Sequence, residues 1–162
     1  MRPHAAIVLI ALSGASMLAN GGVHSSDHVI ASYSITIPDG YVLRDISPPM
    51  MDFYLFKVYK KSSKTGCLKI YFGNNPGFPT MAWKDKGKEG QEGGRTFSSH
   101  PFDPKTGRME GLIQHKNLKD SEGAPSPFSR VHYFSDGKIS QNDAMVYDQI
   151  IGSIRVTDPS WK

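Results

Sequence analysis

One cysteine, Cys67, stands among the 162 residues. A lone thiol excludes an intrachain disulfide, so any fold must rest on an apolar core. No apolar run reaches the roughly 20 residues that a membrane-crossing helix needs, which argues against an integral membrane protein. Gly-x-Ser-x-Gly is absent, and with it the strained turn that presents a hydrolase serine. Gly93-Gly94-Arg95 lacks the Gly-Lys-Ser/Thr ending of a phosphate loop. The acidic residues sit singly in turn-like stretches, with no pair that stands out as a glycosidase acid and base. His100, His115 and His132 are dispersed, while a zinc site needs three or four ligands at workable spacing. The formal net charge of +4 is too mild for a nucleic-acid binder but allows attraction to anionic lipid headgroups or glycans.

What is present begins with an address. Met1-Arg2-Pro3-His4 is a short positive start, Ala5 to Leu12 an apolar stretch, and small residues follow to Ala19. This order is that of a secretory signal peptide. Ala19-Asn20-Gly21 places small side chains where signal peptidase wants them, so the expected signal covers 1–21 and the mature chain starts at Gly22. The expected compartment is the bacterial periplasm or the exterior. A disulfide-free exported domain of this length suits the periplasm better than a small Cys-rich secreted scaffold.

The body reads as strands. After a flexible polar lead-in over 22–28, Val29, Ala31, Tyr33, Ile35 and Ile37 alternate with mostly small or polar residues, the period of one half-buried strand. Pro38-Asp39-Gly40 turns the chain. Phe53 to Tyr59 is aromatic or β-branched on both faces and predicts a strand covered on both sides. Lys60 to Gly66 connects it to a partner, Cys67 to Phe72, in a hairpin. The stretch from Trp83 to Gly94 is charged and Gly-rich without period, so an exposed loop is expected. Strands are expected again near Arg95–Phe97, Met109–His115 and Phe128–Phe134, with His100 in a loop before Pro101. Ser140 with Asp143 three residues on predicts a helix start, and Val146, Tyr147, Ile150, Ile151 and Ile154 form its apolar stripe. Gly152 in that helix predicts a close approach to the sheet. The expectation is one α+β domain over 29–157, a largely antiparallel sheet with a C-terminal amphipathic helix packed on one face, and a tail over 158–162.

Two segments resemble a known superfamily. Ile37-Pro38-Asp39-Gly40-Tyr41 is similar to the opening of PsbP-like domains, whose relatives include DcrB-type envelope proteins and Mog-type nuclear transport factors. Asp143 to Val156, ending Ile150-Ile151-Gly152-Ser153-Ile154-Arg155, is similar to their closing helix and Ser-hydrophobic-Arg ending. The resemblance implies an α/β/α sandwich around an antiparallel sheet, in a mainly non-enzymatic binding or accessory module.

Three functional readings stay open. The leading one is an exported non-enzymatic domain that binds a protein partner, one concrete form being an immunity protein that occludes a toxin delivered into the same compartment. Lys57, Lys60, Lys61 and Lys64 around one hairpin, with Tyr59 and Trp83, are its candidate contacts, and an anionic envelope lipid or glycan is an alternative ligand. The same lysines also read as protection of a sheet edge. The second reading is an enzyme using Cys67 or a histidine, since a thiolate nucleophile needs a base and an electropositive setting. The third is a Cu(II) or Ni(II) protein. A mature start of Gly22-Val23-His24 supplies an amine, two amides and an imidazole in one plane, a geometry those ions favour.

Overall fold

The computed structural model describes residues 25–62, 66–74, 88–92, 95–115, 118–119, 123–124 and 126–157. In chain order they form β1 (Ser25–Ile30), β2 (Tyr33–Pro38), β3 (Tyr41–Asp45), β4 (Tyr54–Lys60), β5 (Cys67–Gly73), β6 (Lys88–Glu92), β7 (Arg95–Asp103), β8 (Arg108–His115), β9 (Arg130–Asp136), α1 (Gln141–Gly152) and β10 (Arg155–Val156). Every strand pairing is antiparallel. A seven-stranded sheet runs β3-β4-β5-β9-β8-β7-β6, and a three-stranded sheet runs β1-β2-β10. The architecture is α+β, mostly antiparallel strand with one C-terminal helix.

The core lies between the two sheets and the helix. Phe56, Val58, Leu68, Ile70, Phe72, Val131 and Tyr133 line the inner face of the large sheet. Tyr33, Ile35 and Ile37 from β2 and Tyr147, Ile150 and Ile154 from α1 and its exit meet them. The period-two pattern of β2 therefore does what its sequence predicts: alternate residues are fully buried. Burying side chains of this size stabilises by about 1.5–3 kcal/mol each relative to exposure.

The helix start is also as expected. Ser140 is the N-cap; its Oγ accepts from the Asp143 N–H at 3.1 Å and donates to Asp143 Oδ2 at 2.7 Å. At the other end, the Arg155 guanidinium donates to the carbonyl of Gly152, an oxygen that the last turn leaves free, and to that of Ile154 just beyond the helix.

Five local expectations are corrected. The lead-in is not wholly irregular, and the first strand is a hairpin: Ser25 to Ile30 pair with β2, from Ser25↔Pro38 to Ile30↔Tyr33. Its two-residue turn needs a positive φ, which glycine usually supplies; here Ala31 holds φ 50°. Part of the expected loop over 83–94 is an edge strand, β6, paired with β7. His100 and Pro101 lie inside β7, where the pairing register shifts between His100 and Asp103; proline is tolerated at such an irregularity because it has no N–H to donate. The strand buried on both faces is β5 rather than β4, because β4 keeps Leu55, Lys57 and Tyr59 half-exposed on one side. Gly152 makes no close approach, since a Cβ there meets nothing within 4 Å.

Candidate functional site

The face of the large sheet turned away from the helix carries Arg44, Lys57, Lys69, Glu110 and His132. Pairing register puts Arg44 opposite Lys57, Lys57 opposite Lys69, Lys69 opposite Phe134, Phe134 opposite Glu110 and Glu110 opposite His100. Side chains directly opposite on an antiparallel pair share a face, with Cβ atoms about 4.5–5.5 Å apart. Three cations on β3, β4 and β5 therefore form a row across the strands. Like charges placed this way destabilise a sheet.

Compensation within the chain is partial. Lys69 Nζ pairs with Asp136 Oδ2 at 2.8 Å and lies 6.0 Å from the Phe134 ring centre. Lys57 Nζ lies 5.7 Å from the Tyr59 ring centre. Among the described residues, neither Arg44 nor Lys57 has a carboxylate within ion-pair distance. Arg44 is exposed and Lys57 half-buried, so both remain open to solvent and to an external anion.

Beside the row, the same face holds a buried polar pair. His132 Nε2 and Glu110 Oε1 are 2.7 Å apart, and both residues are at most 3% exposed. The His132 ring stacks on Phe134 at 5.3 Å. A general base must reach its substrate, and this pair is enclosed. It reads as a fastening between β8 and β9.

The structure separates the residues that a cysteine enzyme would need. Cys67 is buried, and burial pushes its thiol pKa up; nearby Asp136 adds to the rise, while Lys57 and Lys69 pull the other way. His132 lies opposite Tyr71, four positions along β5 from Cys67, or about 13 Å at the rise of a strand. His115 and His132 are on opposite faces: His115 turns inward, its ring 5.5 Å from that of Tyr33. Burial and the neighbouring Arg95 lower the His115 pKa. Among the described residues neither His115 nor His132 stands beside Cys67, and burial disfavours the thiolate that a nucleophile requires. No group of three or more metal-ligating side chains occurs among the described residues.

Of the residues expected to bind a partner, Lys57 and Tyr59 share the outer face. Lys60 is exposed at the end of β4, one position beyond Tyr59 and so directed to the other side, and Lys61 is exposed in the following turn. Lys64, Trp83 and the expected metal ligands Gly22, Val23 and His24 lie outside the described residues, as does the expected signal peptide. Sequence reasoning missed Arg44 altogether. Its alignment with Lys57 depends on the β3–β4 register, which a run of five residues after a Pro-Asp-Gly turn does not reveal. No helix among the described residues is long and apolar enough to cross a membrane. No family model, curated protein or solved structure matches the chain.

Proposed function

We propose that this chain is an exported, non-enzymatic binding domain whose outer sheet face engages an acidic protein partner. The in-register row of Arg44, Lys57 and Lys69 carries the reading. A sheet that sets three cations opposite one another is held at an electrostatic disadvantage, which an incoming set of carboxylates relieves. Tyr59 and Phe134 flank the row, and amphipathic aromatics beside cations are common contact residues of protein interfaces. An immunity protein that blocks a toxin in the envelope is the concrete form of this reading. The part of the outer face around Arg44, Lys57 and Tyr59, exposed or half-exposed, supports such a role.

A PsbP- and Mog-type ancestry is part of the same proposal. The two segments that carry the resemblance touch each other. The Tyr41 hydroxyl, just after the Pro-Asp-Gly turn, donates to Asp143 Oδ1 at 2.8 Å, and its ring meets Tyr147 edge-on at 5.8 Å.

The test is affinity capture from the protein's own cell envelope with the wild-type chain and with Arg44→Glu/Lys57→Glu, at low and high salt. The expected result is an acidic protein retained by the wild type and lost both with the double variant and at high salt, because exposed charges are screened within about 10 Å at 0.1 M. Retention by the charge-reversed chain sinks the proposal. Binding to anionic vesicles instead of a protein assigns the same face to a lipid headgroup and also rejects it.

A further inference from the structure

We propose that the free edge of β3 takes up an extended segment of the acidic partner as an added antiparallel strand, with acidic and apolar residues alternating along it. The proposal rests on the acidic-partner reading above and gives it a mode of binding. β3 ends the seven-stranded sheet, and among the described residues it pairs only with β4. Two bonds at the ends of this pairing fix its phase. The Lys61 N–H donates to the Gly40 carbonyl at 2.7 Å, and the Ile46 N–H donates to the Leu55 carbonyl at 2.9 Å. In an antiparallel ladder, successive residues alternate between bonding to the neighbouring strand and facing the other side. Val42 and Arg44 therefore bond to β4, in step with Gly40 and Ile46. Tyr41, Leu43 and Asp45 turn their N–H and C=O groups to the free edge, where no hydrogen bond to another described residue occupies them.

The side chains of the same three residues belong to the inner face, since Leu43 lies opposite Val58 and Asp45 opposite Phe56. There the free edge borders a groove of about 430 Å³, lined by Leu43 and Asp45, by Tyr54 and Phe56 of β4, and by the end of β1 from His28 to Ala31. β1 is itself the outermost strand of the smaller sheet, so the groove lies between the margins of both sheets. Val29 and Tyr54 on its walls are exposed large apolar residues, and so are Met50 and Met51 in the connection that leaves β3.

Three features specify the occupant. Unpaired backbone groups at every second residue call for another extended backbone, the pairing used by domains that add a partner's strand to a sheet edge. An added antiparallel residue opposite Arg44 shares the outer face with the cationic row, its Cβ about 4.5–5.5 Å away. A carboxylate there meets Arg44, which has none within ion-pair distance among the described residues. The residues on either side of it, opposite Leu43 and Asp45, face the groove, where apolar side chains cover Tyr54 and Phe56. The far edge of the same sheet provides a contrast. β6 is charged at three of its five positions, a usual guard against strand addition. β3 opens with Tyr41-Val42-Leu43 and contains neither lysine nor proline.

The experiment titrates the full chain with a capped peptide that alternates Val and Glu along the length of β3, with a further Glu at each end, and follows backbone amides by NMR. Saturable shifts of the Leu43 and Asp45 amides are expected. The same peptide with Lys in place of Glu is expected to bind at least about tenfold more weakly. N-methylation of the central Val blocks a group that faces β3 and is expected to weaken binding at least about tenfold. N-methylation of a neighbouring Glu points to solvent and is expected to change it less than about twofold. Leu43→Pro removes only the donor at the free edge, a place where strands tolerate proline, and is expected to leave the chain folded and abolish binding. The N-methylated pair is read on the wild-type chain and does not depend on the folding of that variant. The absence of saturable shifts up to about 5 mM, beyond the range of a weak millimolar site, overturns the proposal. So do equal losses from the two N-methylated peptides, or a Lys peptide that binds as well as the Glu peptide. A free chain that sediments as a dimer, with its Leu43 amide already protected from exchange, assigns the edge to a second copy and also overturns it. Envelope capture that is lost with Arg44→Glu/Lys57→Glu but unchanged with Leu43→Pro rejects the added strand alone and leaves the acidic-partner reading in place.

Discussion

The two faces of the seven-stranded sheet solve different problems. The inner face is apolar at its centre, where it is covered by β2 and α1, and its residues interlock: the Phe72 ring lies 5.3 Å from Tyr33 and 6.1 Å from Phe56. The outer face carries cations in register, a buried carboxylate–imidazole pair and half-exposed aromatics. The inner arrangement lowers the energy of the fold with every contact. The outer one contains an arrangement that, taken alone, raises it. Substitutions on the inner face are therefore expected to cost stability. On the outer face the sign divides between the buried pair and the cationic row.

The largest effect is expected at the inner face. Phe72→Ala removes a fully buried ring and should cost about 3–5 kcal/mol, read from chemical denaturation. Next comes the outer face's buried pair. His132→Leu leaves Glu110 enclosed without its imidazole and should cost about 3 kcal/mol. The double change Glu110→Leu/His132→Leu should recover most of that, because both hydrogen-bonding partners then leave together. A double-mutant cycle without such recovery would show that the pair is not a unit. Ser140→Ala removes the helix cap and should cost about 1 kcal/mol.

The opposite sign is expected at the cationic row. Lys57→Gln should stabilise the fold by about 0.2–1 kcal/mol, since it removes a charge from between two others, while it weakens partner capture. A Lys57→Gln chain less stable than wild type would erase the distinction between the faces. The smallest effect concerns pH. His115 is less readily protonated in the folded chain than in the unfolded one, because of burial and Arg95. The unfolded state therefore binds more protons as pH falls below the ordinary histidine value of about 6.5. Stability should decline from there until the folded pKa is passed, and then level off. His115→Gln should flatten that part of the stability profile.

Where local chemistry dictated local structure, the sequence was legible. The alternation of Tyr33, Ile35 and Ile37, the Ser140–Asp143 cap and the apolar stripe of α1 each follow from spacing alone, and each is found. Where pairing dictated structure, it was not. The β1–β2 hairpin carries no Gly or Asn-Gly at its turn, so alternation ran through it as one strand. The edge strand β6 hides in a charged, Gly-containing stretch because its pairing with β7, not its own pattern, defines it. The candidate site divides in the same way. Lys57 and Tyr59 were visible as a hairpin patch, but Arg44 entered only through the β3–β4 register. The groove beside β3 joins β1, β3 and β4 because of how the two sheets meet, and a periodicity argument contains no such information.

The strand order has a consequence for how the molecule is made. β9 lies between β5 and β8, so neither of those strands has its final neighbour until residue 136 is in place. β10, which completes the smaller sheet beside β2, comes later still. A ribosome or a translocation channel releasing this chain from its N-terminus thus handles an incomplete sheet for most of its length. Such a polypeptide carries two separate three-stranded pieces, β3-β4-β5 and β6-β7-β8, which only β9 can join into one sheet.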